Sequence, residues 1–465
     1  TLPAYHADDG GLVVWVRPDV GLEALLELQG HWGPDLRPVV LTSEAFNRAV
    51  QRAFERGGAA ADAMEELDGT VDLEAVSGGL PESADLLESE DDAPLIRLLN
   101  AVLTQAIEDG ASDIHVEPYE SRLVIRERVD GVLRDLLEPP RASAPRLVSR
   151  IKVMARLDIA ERRVPQDGRI GVRLAGRTID LRVSTLPTQY GERVVMRILE
   201  KEQGPMTLQA IGMPEDVRTS FEKLIQSPHG ILLVTGPTGS GKSTTLYAGL
   251  QAIRSPEQNI ITIEDPVEYD LEGVGQIPVN NKMGMTFARG LRAILRQDPD
   301  VIMVGEIRDL ETAEVSVQAS LTGHRVFSTL HTNDAVGSIT RLVDMGVEPY
   351  LVASSLLGAM AQRLVRRLCP ECRYPQAPDE AERQILGLGP DEEAVLYHPG
   401  ACEACGHTGY RGRTGIYELM TVNEDLRHLI HDSRGEQVLR QAAREAGMRT
   451  LREDGLRKVR AGETS

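Results

Sequence analysis

At 465 residues, with 41% hydrophobic and only 4% aromatic residues, the chain is long enough for three domains or so, each with an aliphatic core. A formal net charge of −20 speaks against a general nucleic-acid binder, whose affinity comes from neutralising phosphates, and so against a helicase or DNA motor. No stretch approaches the ~18 consecutive apolar residues of a membrane span, no signal peptide is recognisable, and four Cys in two close pairs suit the cytosol better than disulfide stapling. The first residue is Thr1, so a native N-terminal segment could be missing.

Residues 1–60 read as a small α/β module, with strands over 12–16 and 38–41 and helices over 20–28 and 43–56. The module carries no recognisable chemistry. Residues 61–92 read as an acidic linker: positions 57–96 hold twelve Asp/Glu and no Lys or Arg, a composition that favours solvation over packing. A second domain is expected over 93–203. It opens on an amphipathic helix over 94–109, with Ile96, Leu99, Val102, Leu103, Ala106 and Ile107 on one side. Strand-like alternation follows at 114–116, 123–128, 169–174, 178–184 and 193–199, with Gly at the turns. Arginine is dense here, at 162, 163, 169, 173, 177, 182, 193 and 197.

The third domain, over 204–465, carries the strongest motif. Gly236-Pro237-Thr238-Gly239-Ser240-Gly241-Lys242-Ser243 fits G-x-x-x-x-G-K-[ST], between an apolar strand over 231–235 and a helix over 243–253. Glycines let the backbone aim successive N–H groups at a phosphate, and the helix N-terminus adds its dipole. Lys242 is placed to reach the β/γ-phosphates of a nucleoside triphosphate, and the Ser243 hydroxyl to coordinate Mg²⁺. Further strands over 260–264, 301–304 and 326–330 alternate with helices, the pattern of a mostly parallel sheet.

Two of these strands run into acidic segments, Glu264-Asp265-Pro266-Val267-Glu268 and Gly305-Glu306-Ile307-Arg308-Asp309. A carboxylate at the C-terminal end of a parallel strand faces the ligand crevice. The second segment is a Walker B-like strand in which Gly305 stands where an Asp is usual, leaving Glu306 to act on Mg²⁺ through a water. His324 and His331 bracket the strand over 326–330, where both could sense the γ-phosphate. Cys369, Cys372, Cys402 and Cys405 form two C-x₂-C knuckles, the pattern of a closed structural zinc site, with a helix-containing subdomain expected between them.

Taken together, the phosphate loop, Glu-Asp-Pro-Val-Glu at 264–268, the run 296–309 and Thr-Gly-His…Ser-Thr-Leu-His-Thr-Asn at 322–333 resemble the secretion ATPase superfamily. Ser112 to Pro118, Arg163 to Arg169, Gly191 to Arg197 and the tail from Gly447 to Leu456 are similar to its GspE/PilB type, nearest to the type II secretion ATPase. The resemblance covers about residues 93 to 465. It implies a RecA-like P-loop ATPase core (α/β) preceded by a smaller α+β, PAS-like domain and the N-terminal module, with a zinc subdomain over 369–405. By position it makes Glu268 the residue that polarises the attacking water, Glu306 the Walker B glutamate, His324 and His331 the His box, and Arg182 and Arg197 the arginine fingers. Lys242 and residues 236–244, Thr244 included, would hold ATP. It also implies a homo-hexamer on the cytoplasmic face of the inner membrane, docked through residues 1–60 on cytoplasmic domains of the GspL and GspF type, with no nucleic acid. Pilus assembly, nucleic-acid translocation and a nucleotide-gated adaptor remain alternatives.

Overall fold

The computed structural model describes residues 4–6, 12–16, 36–40, 42, 93–174, 177–200, 207–389 and 392–465. The helices expected over 20–28 and 43–56 and the linker over 61–92 lie outside the described residues. The chain divides into two units, Thr1–Glu202 and Gln203–Ser465.

In the first unit, β1 (Ala4–His6), β2 (Leu12–Val16) and β3 (Leu36–Val40) form a small sheet in that order, with β2 and β3 parallel. Helix α1 (Ala93–Glu108) follows, then β4 (Ala111–Pro118), β5 (Leu123–Val129), β6 (Val132–Leu137), α2 (Ala144–Met154), β7 (Gln166–Leu174), β8 (Arg177–Thr188) and β9 (Gly191–Glu200). The strands make one antiparallel sheet, β6-β5-β4-β9-β8-β7. Strand alternation decides its two faces. Ile114, Val116, Ile125, Leu181, Val183, Val194 and Met196 point into a core closed by Leu99, Val102 and Leu103 of α1 and Leu147 and Ile151 of α2. The residues between them fall on the opposite face, which collects the arginines. Sequence alternation did not reveal β6 or α2. β6 is largely solvent-facing, and α2 is short, with Pro145 and three basic residues (Arg146, Arg150 and Lys152) among its eleven.

The second unit is built on α3 (Glu215–Ile225), β10 (Gly230–Thr235), α4 (Lys242–Ile253), β11 (Ile260–Glu264), β12 (Gly275–Pro278), α5 (Phe287–Ile294), β13 (Val301–Val304), α6 (Leu310–Leu321), β14 (Arg325–Leu330), α7 (Gly337–Asp344), α8 (Pro349–Ser355) and β15 (Leu356–Leu368). A cysteine-bearing excursion follows, with β16 (Tyr374–Gln376), α9 (Glu380–Leu386) and β17 (Leu396–His398), and then β18 (Tyr410–Thr421) and helices α10 (Glu424–His431), α11 (Glu436–Glu445) and α12 (Leu451–Arg460). The main sheet has the order β12-β11-β13-β14-β10-β15-β18, parallel throughout except for β15 with β18. Because β10, β11, β13 and β14 are buried on both faces, they read as mostly apolar runs, which is why the sequence located them almost to the residue. Two cores lie on the two sides of this sheet, one around Ile263, Leu291, Val304 and Leu330, the other around Phe221, Tyr247, Met303 and Met360. This is the α/β, RecA-like arrangement expected, and the α+β sheet of the first unit precedes it.

One buried carboxyl makes the first unit's stability depend on pH. Glu127 of β5 lies opposite Arg134 of β6, which donates to it at 2.6 Å and also pairs with Asp109 at 3.0 Å. Burial outweighs the Arg134 contact and pushes the Glu127 carboxyl up to about 7. Its unfolded value is about 4.3, so between those limits the folded chain holds the extra proton and this carboxyl's contribution to stability falls as pH rises. We expect the urea midpoint of the first unit's transition to drop between pH 5 and pH 8, and Glu127→Gln to remove most of that drop; an unchanged pH dependence in the variant would contradict this account.

Candidate functional site

The phosphate loop begins where β10 ends. Gly236, Gly239 and Gly241 have φ of 150°, 80° and 85°, the left-handed region that glycine enters without strain. At two of them the space is also closed: a Cβ on Gly236 would lie 2.6 Å from the Gln362 carbonyl, and one on Gly241 2.8 Å from Gln362 Nε2. Helix α4 starts on Gly241, so its unpaired N–H groups face the loop. Lys242 is nearly buried and folds back over the loop, its Nζ donating to the carbonyls of Gly236 (2.8 Å) and Pro237 (3.1 Å). Burial holds the Lys242 amine below the ordinary lysine range; the Glu306 carboxylate works against that and the Arg363 cation adds to it. Ser243 is exposed and Thr244 half-buried at the first turn of α4, while the Ser240 hydroxyl is buried inside the loop with no hydrogen-bond partner.

The parallel register carries three further segments to this edge. Thr235 of β10 aligns with Leu330 of β14, so His331 and Thr332 follow beside the loop. Thr332 is tied to it, its N–H donating to Thr235 Oγ1 at 2.8 Å and the two hydroxyls standing 2.7 Å apart. Val304 of β13 aligns with Ser328, so Gly305 and Glu306 emerge at the same edge. Glu306 meets His331 Nε2 at 3.2 Å and is ion-paired with Arg308, whose own pKa is raised mainly by that contact. The space at Gly305 is tight: a Cβ there would lie 3.2 Å from the Ile263 carbonyl and 3.3 Å from Glu264 Cα.

Of the two carboxylates in 264–268, Glu264 is buried and engaged. It accepts from Tyr247, from Thr262 at 2.5 Å and from Gln276 at 3.1 Å. Burial, with Glu264 beside it, raises the Tyr247 phenol far above its ordinary value, and the Tyr269 ring packs on Tyr247 edge-on at 4.7 Å. Glu268 lies on the exposed segment beyond, its N–H 3.4 Å from the Tyr247 hydroxyl.

The expectation has both histidines facing the phosphates; within the chain the two lie at opposite ends of β14. His324 precedes β14 and its carbonyl accepts from Gly230 at the start of β10, whereas the loop follows the end of β10. Six residues of strand, about 20 Å, lie between. The His324 ring is instead held at the end of α6, 2.9 Å from the Ala319 carbonyl and 3.2 Å from Thr322 Oγ1. Within one chain His331 belongs to the loop edge and His324 does not.

In the first unit, Arg182 of β8 lies directly opposite Arg169 of β7 on one side and Arg197 of β9 on the other. Directly opposed residues share a face, and like charges so placed are destabilising by a few tenths of a kcal/mol or more. Arg197 has a close carboxylate, Asp113 of β4, with its Nε 2.9 Å away; Arg128 approaches the same Asp113 at 3.9 Å. The row sets three arginines side by side across β7, β8 and β9. Spacing placed the arginines on strands but did not show their register. It also missed Gln362 and Arg363, which reach the loop from more than a hundred residues downstream.

Cys369, Cys372, Cys402 and Cys405 converge, all four sulfurs lying within 4.8 Å of one another. The pairs 369–402 and 372–405 are 3.8 Å apart and 402–405 is 3.7 Å. With Zn–S bonds of 2.3 Å, the edge of a tetrahedron is about 3.8 Å, so the residues fit a four-coordinate zinc. The Gly409 N–H donates to Cys405 Sγ at 3.2 Å, and Gly400 is required because a Cβ there would lie 2.1 Å from the Cys372 carbonyl. Helix α9 sits between the knuckles, with its N-terminus closed by a reciprocal Asp379–Glu382 cap. We expect one zinc per chain by metal analysis and its loss, with a lowered melting temperature, in Cys402→Ser. Protein purified without chelators that carries no zinc would refute the assignment.

Residues 88–465 match the family described as type II/IV secretion system protein. The chain is 57% identical to type II secretion system protein E of Pseudomonas aeruginosa over 97% of its own length and 89% of that protein. It is 54% identical to the type II secretion system ATPase E of Vibrio cholerae, over 99% of this chain and 92% of that one. Among solved structures, the pilus retraction motor PilT with bound ADP is 28% identical with a TM-score of 0.53, covering 78% of this chain and 93% of that one. DotB of Legionella pneumophila shares the fold at a TM-score of 0.58 and 21% identity, over 79% and 93% of the two chains. The chain is a P-loop ATPase of the type II/IV secretion system family and belongs to its type II, GspE branch.

Proposed function

We propose that the chain hydrolyses ATP to ADP and phosphate and, as the motor of a bacterial type II secretion system, converts that reaction into domain motion that drives pseudopilus assembly and protein export. The observation that carries this reading is the gathering of Lys242, Glu306 and His331 around one glycine-rich loop at the C-terminal edge of a parallel sheet. Identity of 54–57% to proteins named for type II secretion, against 28% to a pilus motor, favours it over pilus assembly.

Phosphoryl transfer is mostly positioning and charge stabilisation. Residues 236–244 take the phosphates, and Lys242 exchanges the Gly236 and Pro237 carbonyls for phosphate oxygens. A Mg²⁺ ion held by the Ser243 hydroxyl and phosphate oxygens, with Glu306 reaching it through a water, would neutralise the phosphate charge. Glu268 orients the attacking water and accepts its proton as the water oxygen bonds to the γ-phosphorus. The bond to the β–γ bridging oxygen breaks, and that oxygen leaves on ADP. Glu264, already held by three donors, is a structural anchor rather than the base. His331 keeps Glu306 in position. Arg182 and Arg197, contributed by a moving or neighbouring domain, supply the cations for charge developing on the γ-phosphate. The four cysteines hold a structural zinc that takes no part in the chemistry.

The working form is a homo-hexamer at the cytoplasmic face of the inner membrane. It is recruited through residues 1–60 by cytoplasmic domains of the GspL and GspF type, and it acts without nucleic acid. Among the described residues no helix is long and apolar enough to cross a membrane.

The test is steady-state ATP turnover by the full chain. Lys242→Ala is expected to lower turnover by about two orders of magnitude, as removal of one preorganised donor does. Glu268→Gln should lose a comparable factor while still binding nucleotide. Turnover that survives both substitutions would contradict the assignment, and stimulation by DNA at physiological salt would favour a translocase instead.

A further inference from the structure

We propose that Arg363, on β15, is a second cation of the phosphate site that reads whether a γ-phosphate is present and passes that state to His331 and Glu306. The inference rests on the reading of residues 236–244 as a triphosphate site.

Gly236 stands between two cations. On one side Lys242 donates to its carbonyl at 2.8 Å. On the other, the Arg363 guanidinium lies so close that a Cβ on Gly236 would be 3.0 Å from Arg363 Nη1. The two positive charges are near enough for Arg363 to make protonation of Lys242 harder. Glu306 offsets part of that repulsion, but it is itself shared with Arg308 and His331. A polyanion entering the loop is what this arrangement lacks for balance, and it would draw on both cations.

Arg363 is also mechanically connected. Its Nη1 donates to the Gln362 carbonyl at 2.9 Å, and its Nη2 donates to the Asn333 carbonyl at 2.9 Å and to Asn333 Oδ1 at 3.4 Å. Asn333 lies two residues beyond His331, whose ring touches Glu306, and the Thr332 between them is bonded to Thr235 at the base of the loop. The guanidinium fork therefore joins the loop to the segment carrying the histidine, while Gln362 fixes the strand that presents it by accepting from Thr245 of α4 at 2.7 Å. A planar guanidinium offers its N–H groups in a rigid fork, whereas an ammonium is a compact charge on a flexible stem. When phosphate oxygens compete for the fork, Asn333 loses a partner and the 331–333 segment is released or re-aimed. Arg363 is thus a positioning residue, acting through His331 and Glu306.

Two variants separate charge from shape. Arg363→Lys keeps the positive charge without the fork, and Arg363→Gln keeps a donor toward Asn333 without the charge. Affinity for ATP and for ADP is measured with the full chain by equilibrium titration, alongside kcat and KM for ATP. In Arg363→Gln, we expect the preference for ATP over ADP to fall about tenfold, with ADP affinity unchanged. In Arg363→Lys, the preference should survive to within about threefold while kcat falls, because charge is retained but the link to Asn333 is not. Wild-type ATP/ADP preference in both variants would overturn the proposal. So would an equal loss of ATP and ADP affinity, which a merely structural role would give. A wild-type chain that binds neither nucleotide would instead refute the underlying triphosphate reading.

Discussion

The site depends on one register. β10 pairs in parallel with β14 on one side and β15 on the other, so that Thr235, Leu330 and Ala361 end at a common level. In a parallel sheet each strand delivers its following residues to the same edge, and that edge here receives the phosphate loop, the 331–333 segment and Gln362–Arg363 together. β13, one strand further, adds Gly305 and Glu306. A slip of two residues in any one pairing would preserve the buried faces but move a segment by about 7 Å along the strand direction, enough to break the His331–Glu306 and Thr332–Thr235 contacts. The apolar strands fix the register, and the chemistry follows from it.

β15 gives that edge a further constraint. It overhangs the loop beyond Ala361, pairs with β18 along nearly its full length, and runs directly into Cys369. β18 begins at Tyr410, just past Cys405. The cysteine cluster therefore clamps the far end of the strand pair whose middle carries Gln362 and Arg363. Arg366 stacked over the Tyr410 ring at 3.9 Å and Arg373 over Tyr397 at 4.7 Å add to that clamp. A metal held by the four cysteines, though without an open coordination position, would bear on the site by holding the strand against which two loop glycines are packed. The opposite face of the core is stiffened by the Tyr247–Glu264–Gln276 network, which ties α4 to β11 behind the loop.

Much of this was readable from residue order alone. Doubly buried strands are mostly apolar runs, and the phosphate loop and the two C-x₂-C pairs are local patterns, so all were legible without knowledge of pairing. What depends on pairing was not. The sequence shows His324 and His331 as equivalent flanks of one strand, but a strand has two ends and only one reaches the loop. Arg182 and Arg197 could be placed on strands, yet their direct opposition, with Arg169 completing the row, is a matter of register. Glu264 and Glu268 look alike in sequence; burial beneath Tyr247 distinguishes them. Arg363 gave no local signal, because its importance comes from lying against Gly236 after a connection of more than a hundred residues.

In the proposed triphosphate cradle, Lys242 and the loop glycines act together, and the Lys242 amine donates to the loop's own carbonyls. The most direct measurement is a structure of the full chain with a non-hydrolysable ATP analogue and Mg²⁺. Phosphates are expected within the 236–243 loop at the C-terminal edge of β10, with Lys242 Nζ withdrawn from the Gly236 and Pro237 carbonyls onto phosphate oxygens. Nucleotide bound elsewhere, or phosphates in the loop with Lys242 still donating to those carbonyls, would contradict the proposed cradle.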